Sequence, residues 1–161
     1  MIRALSASAS RVQQALRQRG LDIAVRQVPD STRTAQEAAA ALGCDVAQIA
    51  KSLVFRGERS GDPVLVIASG ADRVDERRLA EVIGEPAGKP DADFVRERTG
   101  FGIGGVPPLG HVTPVRTLIE ERLLEFDPIW AAAGTPHHVF PLTPDELRQV
   151  TGGEVVAVAV G

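Results

Sequence analysis

The sequence has no tyrosine, one cysteine, one tryptophan and one methionine in 161 residues. A lone thiol, Cys44, excludes an internal disulfide and any multi-thiolate metal centre, so neither fold nor chemistry depends on paired cysteines. Long apolar runs are also missing. The first thirty residues scatter Arg3, Arg11, Arg17 and Arg19 among small and polar residues, unlike a secretory signal, and nothing approaches a membrane span. The expectation is a cytoplasmic protein of one domain, residues 1–161. A positive charge excess is absent too: the net charge is -3, against a protein that grips nucleic acid through many phosphate contacts. DNA binding is therefore not expected, and any RNA contact should be local.

What is present is a balanced globular composition, 43% apolar and 24% charged. Basic residues are almost all arginine, and the two lysines are Lys51 and Lys89. Ser10 to Arg19 reads as an amphipathic helix stopped by Gly20, and Leu21 to Val28 as a strand. Thr34 opens a helix with a capping box to Glu37 that runs to Leu42 and stops at Gly43. Asp45 to Gln48 repeats the capping pattern before a strand at Ser52 to Phe55, so Lys51 sits where helix gives way to strand. The unbroken apolar run Pro63 to Ala68 predicts a central strand, joined to the preceding one by a hairpin through Gly57 to Asp62. Helices are expected over Asp75 to Ile83, Asp91 to Arg98 and from Thr143, where Pro144 and Glu146 complete a start signal. Strands are expected at Val115 to Ile119, Ile129 to Ala133, Val139 to Leu142 and Glu154 to Val160. The interspersed order predicts an α/β fold with a mixed sheet.

Gly100-Phe101-Gly102-Ile103-Gly104-Gly105 satisfies the dinucleotide-binding pattern, but it follows a helix and leads into Val106-Pro107-Pro108, which cannot open one. The nucleotide-fold reading fails on context. A stiff, glycine-dense loop closed by Pro107, Pro108 and Gly110 remains; it is either a tight surface turn or a means of aiming N–H groups at an anion or carbonyl oxygen. Lys51 lies among Ile49, Ala50, Leu53 and Val54, where its ammonium either meets a ligand phosphate or carbonyl or reaches water past its own packed stem. His137 and His138 project in different directions in an extended chain, which disfavours metal binding, while His111, His137 and His138 stay open as general bases. Cys44, beside a helix-ending glycine, reads as a packed side chain rather than a nucleophile.

Taken together, Ile49-Ala50-Lys51-Ser52-Leu53-Val54, the Val64 to Ala68 strand, the Gly100 to Gly110 loop and Val139-Phe140-Pro141-Leu142-Thr143-Pro144 resemble the YbaK/ProX family, free-standing relatives of the editing domain of bacterial prolyl-tRNA synthetase. The resemblance spans about Ser31 to Val160. It implies an α/β fold whose mixed, strongly curved, barrel-like sheet is surrounded by helices. It implies hydrolysis of the ester of mischarged tRNA at the 3′ acceptor end, with prolyl-tRNA synthetase as a partner and no cofactor, metal or covalent intermediate. The family's functional lysine falls on Lys51 and its G-x-x-x-P motif on Gly104 to Pro108. Catalysis is thereby assigned to Lys51, Gly104 and Gly105, and substrate binding to Ser52, Val106, Pro107, Pro108, Gly110 and His137. Val106 carries no hydroxyl, which favours alanine, cysteine or 2-aminobutyrate over serine or threonine as the amino acid removed.

Overall fold

The computed structural model describes residues 5–161. In chain order the elements are α1 (Ala7–Gln18), β1 (Arg26–Gln27), α2 (Ala35–Leu42), β2 (Ala50–Gly57), β3 (Pro63–Ser69), α3 (Glu76–Ile83), β4 (Ala87–Gly88), α4 (Ala92–Thr99), β5 (Arg116–Glu120), β6 (Ile129–Ala132), β7 (His138–Leu142), α5 (Pro144–Thr151) and β8 (Glu154–Val156). Helix boundaries follow the capping chemistry closely. Thr34 accepts from the Glu37 amide at 3.1 Å, and Gly43 ends α2 at φ 70°, where a side chain would be strained. Thr143 and Glu146 cap α5 reciprocally, with Pro144 at its first turn.

Every residue of β3 is buried, as its continuous apolar sequence demands. It pairs antiparallel with β2, through the expected hairpin, and parallel with β5. Side-chain alternation then sorts two cores. Leu65 and Ile67 join Val12 and Leu16 of α1, Ile129 of β6, Phe140 and Leu142 of β7, and Leu147 of α5. Val64 and Val66 join Phe55, Leu79 of α3, Leu118 and Val158 on the opposite face.

Two predicted strands are shorter than their sequence patterns. Only Arg26 and Gln27 of the Leu21 to Val28 stretch enter a sheet, pairing with β7. The Gln13 side chain takes the backbone groups a ladder would have used, donating to the Ile23 carbonyl at 2.7 Å and accepting from the Val25 amide at 2.8 Å. At the other end β8 stops at Val156, because the buried Glu120 carboxylate accepts from the Val158 and Ala159 amides at 2.5 and 3.0 Å. The segment beyond Val156 pairs with residues 73–75 instead, through the antiparallel bridge of Val74 to Ala159.

The architecture is mixed α/β, but the strands do not close into a barrel. They form a three-stranded sheet ordered β1-β7-β6 and a five-stranded sheet ordered β4-β2-β3-β5-β8. The two sheets meet at one parallel bridge, Ile49 to Trp130. Beyond it no ladder joins β2 to β6 among the described residues, and the cleft lies along this seam.

Candidate active site

A cleft of about 770 Å³ occupies the seam, lined on one side by Ala50 to Phe55 of β2 and on the other by Trp130, Ala132 and Val139. Lys51, at the start of β2, sends its Nζ to the main-chain carbonyl of Asp72, which it meets at 2.5 Å. Burial lowers the pKa of this ammonium below the ordinary lysine value; the Asp72 carboxylate opposes the shift, and Arg73 and Lys89 add to it. The Asp72 carboxylate is itself paired with Arg122 at 3.3 Å. One of three ammonium donors is thus spent on holding the side chain, leaving two for a ligand.

The glycine loop forms another wall through Ile103, Gly104 and Val106. It is anchored rather than a loose surface turn: Phe101, Val106 and Leu109 are all buried in the main core. Full burial of one such apolar side chain stabilises by roughly 1.5–3 kcal/mol. Residues 102–105 form a tight turn closed by the Gly105 amide on the Gly102 carbonyl at 3.0 Å, and Gly104, at φ 89°, supplies the positive φ that turn needs. The Gly104 amide meets no acceptor among the described residues.

Five residues singled out in the sequence, Lys51, Ser52, Gly104, Val106 and His137, therefore line one cleft, although they come from three separate stretches of chain. Two buried polar atoms there lack a partner among the described residues: Ser52 Oγ and His137 Nδ1. Gly105, Pro107, Pro108 and Gly110 do not line it. Gly105 has both backbone groups engaged, since its carbonyl accepts from the Gly134 amide at 2.9 Å. Pro107 presents its carbonyl to His111 Nε2 at 2.7 Å, which fixes the far end of the loop. Pro108 and Gly110 border a separate, shallower hollow beside His111.

A family model of the aminoacyl-tRNA editing domain matches residues 29–150, a span that contains every wall of this cleft. The chain belongs to the aminoacyl-tRNA editing domain family. This editing domain is 33% identical to the Bacillus subtilis protein YwhH over 81% of its own length and 83% of the relative's. It is 26% identical to an Enterococcus faecalis protein, EbsC, named as a candidate Cys-tRNA(Pro)/Cys-tRNA(Cys) deacylase, over 78% of this chain and 76% of that one. A crystal structure described as a candidate trans-editing enzyme for prolyl-tRNA synthetase superposes with a TM-score of 0.93 at 47% identity, covering 98% of this chain and 100% of that one. These likenesses agree with the YbaK/ProX resemblance drawn from the motifs.

The editing domain's cleft also contains residues that sequence reasoning passed over. Arg33 and Lys89 stand on its walls with Lys51, so a protein of net negative charge brings three cationic side chains to this cleft, beside Asp30. The scarcity of lysine was a usable signal for Lys89. Trp130, the sole tryptophan, was another, and its ring carries the Arg26 guanidinium at 5.2 Å. Cys44 lies outside the cleft, half-buried at the end of α2, and burial with the neighbouring Asp45 pushes its thiol pKa up. His138 faces away as well, its Nδ1 meeting Thr135 Oγ1 at 2.6 Å. Among the described residues no helix is long and apolar enough to cross a membrane.

Proposed function

We propose that this editing domain is a deacylase acting in trans on mischarged tRNA, in the first place tRNA-Pro carrying a small amino acid such as alanine, cysteine or 2-aminobutyrate. The observation that carries this reading is the convergence of Lys51 and Gly104, more than fifty positions apart, on one cleft. An aminoacyl ester is already activated. Its hydrolysis needs a positioned water and a donor for the oxyanion that develops as water adds to the carbonyl carbon. The Gly104 amide is suited to the oxyanion, because Gly105's is committed to the turn. Lys51 holds the substrate carbonyl or the terminal nucleotide's phosphate with its remaining donors. As the intermediate collapses, the bond from carbon to the ribose oxygen breaks, the ribose oxygen takes a proton, and the free amino acid leaves. A neighbouring ribose hydroxyl of the substrate is available to orient the water, so no side-chain nucleophile is required.

The need for such an activity follows from recognition energetics. A synthetase pocket rejects an amino acid smaller by one methylene by only about 1–3 kcal/mol, and a second pocket must remove the error. EbsC and the candidate trans-editing enzyme carry names of the same kind. Prolyl-tRNA synthetase is the partner this reading implies.

The deciding experiment follows release of labelled amino acid from a panel of mischarged tRNAs by wild type, Lys51→Ala and Gly104→Ala. Cleavage of one subset by wild type, lost in both folded variants, supports the deacylase and names its substrate. Saturable tRNA binding with no cleavage at any enzyme concentration replaces it with a binding module that delivers charged tRNA to a partner.

A further inference from the structure

Pairing along β2 leaves part of one edge uncovered inside the cleft. The Gly57 amide donates to Asp62 and the Ile49 carbonyl accepts from Gly70, so the odd-numbered residues of β2 direct their backbone groups toward β3. The even-numbered ones face the opposite edge. There Arg56 pairs with Gly88 of β4, and the Ile49 to Trp130 bridge closes the other end. Between these closures no strand among the described residues pairs with Ser52 or Val54 on this edge, the one turned away from β3. Across the cleft, the Ala133 amide donates to His138, so by the same alternation Ala132 turns its backbone groups toward the seam rather than toward β7.

Two further observations indicate that an occupant completes this edge. Ser52 Oγ is buried without a partner among the described residues, a condition that native proteins rarely leave uncompensated. The cleft that holds the uncovered stretch is also lined by apolar side chains, Ile49, Val95, Val106 and Trp130, against which a flat ring can pack. The chemistry of the occupant follows from the order of groups. Across one outward-turned residue, Leu53, the strand presents the Ser52 carbonyl and then the Val54 amide, an acceptor beside a donor. An α-ammonium group has donors alone and answers half of this pair. The adenine edge answers both, with its 6-amino hydrogen for the Ser52 carbonyl and its N1 for the Val54 amide.

We infer that the uncovered edge of β2 is the subsite for the terminal adenine of the acceptor end, read by the main chain at Ser52 and Val54. The inference rests on the deacylase reading for the identity of the ligand and adds to it how the base is held. Main-chain recognition survives most side-chain changes at these positions, so the test alters the ligand. The probes are 3′-alanylamino-3′-deoxyadenosine, a stable amide in place of the ester, and its counterparts with hypoxanthine and unsubstituted purine. Hypoxanthine reverses both hydrogen-bonding groups; purine lacks the amino donor.

The expected result is that the adenine compound binds about tenfold or more tightly than the hypoxanthine one, with purine between them, each lost hydrogen bond leaving a desolvated group unpaired. Nitrogen-detected backbone spectra should place the largest adenine-dependent shift at the Val54 amide. Equal affinity of the three compounds overturns the inference, as does a Val54 shift produced by a short extended peptide and not by the adenosine compound. Deacylation assays separate the two readings. Hydrolysis of mischarged tRNA that ignores replacement of the terminal base retains the deacylase and overturns the base subsite. A tenfold preference for adenine in a protein that cleaves no ester retains the subsite and overturns the deacylase.

Discussion

The Gly134 amide donates to the Gly105 carbonyl at 2.9 Å, and the two backbones approach so closely that a Cβ on Gly105 would lie 2.6 Å from the Thr135 Cα. This contact locks the glycine loop to the turn that carries His137, so two cleft walls share one joint. Gly104 differs. Its space is open apart from Pro136 at 3.5 Å, and what it requires is a positive φ.

Substitutions at the two glycines should therefore separate. Gly105→Ala forces backbone apart and is expected to destabilise by about 1–3 kcal/mol, an overpacking cost. Gly104→Ala pays about 1–2 kcal/mol for a left-handed conformation without a clash, and its larger effect should be on ester cleavage. Chemical denaturation beside single-turnover deacylation checks this pair. A Gly105→Ala protein as stable as wild type would remove the joint from the account.

Helices α2 and α5 were legible because their ends are written in local chemistry: Thr34 with Glu37 and Thr143 with Glu146 need no tertiary information, whereas α1 begins at Ala7 under a Ser6 cap, three residues before the expected Ser10. The β2 and β3 hairpin was legible for the same reason. The shortened strands were not, because the competitors for their backbone groups, Gln13 and Glu120, are distant in sequence from the segments they bind. As for the site, Lys51 and the glycine loop were visible as unusual residues, yet their meeting in one cleft was implied only by the family resemblance. The uncovered edge at Ser52 and Val54 was out of reach, since it depends on where β4 pairs with β2 and where Trp130 of β6 bridges to Ile49.

His111 supplies a pH dependence. Burial lowers its pKa below the ordinary 6.5, outweighing the Pro107 carbonyl that raises it, and Arg19 lowers it further. The folded protein thus prefers the neutral ring. Between the lowered folded value and 6.5 the unfolded chain binds more protons than the native one, so stability is intact above this window and declines as the pH falls through it. The slope contributed by one such group is at most about 1.4 kcal/mol per pH unit. Denaturant titrations from pH 7 to 4 on wild type and His111→Gln should show the wild type losing more; parallel curves would mean that His111 does not titrate in this range.

Cys44→Ala should leave deacylation unchanged and cost no more than about 1 kcal/mol. The side chain packs beside α2 rather than in the cleft, and its raised pKa keeps it a thiol at neutral pH. Kinetics before and after treatment with iodoacetamide check the same point. Loss of activity in the alanine variant would reopen a covalent mechanism.

On the deacylase reading, Val106 is the place to change which amino acid is removed. Its side chain is buried in the cleft wall with 3% exposure, and it offers a substrate side chain an apolar surface. Wild type should therefore cleave alanyl, cysteinyl or 2-aminobutyryl esters faster than seryl or threonyl ones, because a substrate hydroxyl pressed against valine loses its water without gaining a partner. Val106→Thr keeps the shape and adds a hydroxyl. If Val106 touches the side chain, the ratio of seryl to alanyl cleavage should rise about tenfold, the equivalent of roughly 1.4 kcal/mol. The same hydroxyl is buried, so the variant is expected to lose about 1–3 kcal/mol of stability when no substrate satisfies it. Measuring kcat/KM for both esters in one preparation cancels any loss of folded enzyme. A variant whose ratio equals that of wild type would put the aminoacyl side chain elsewhere, with His137, whose buried Nδ1 has no partner among the described residues in the same cleft, as the next residue to change.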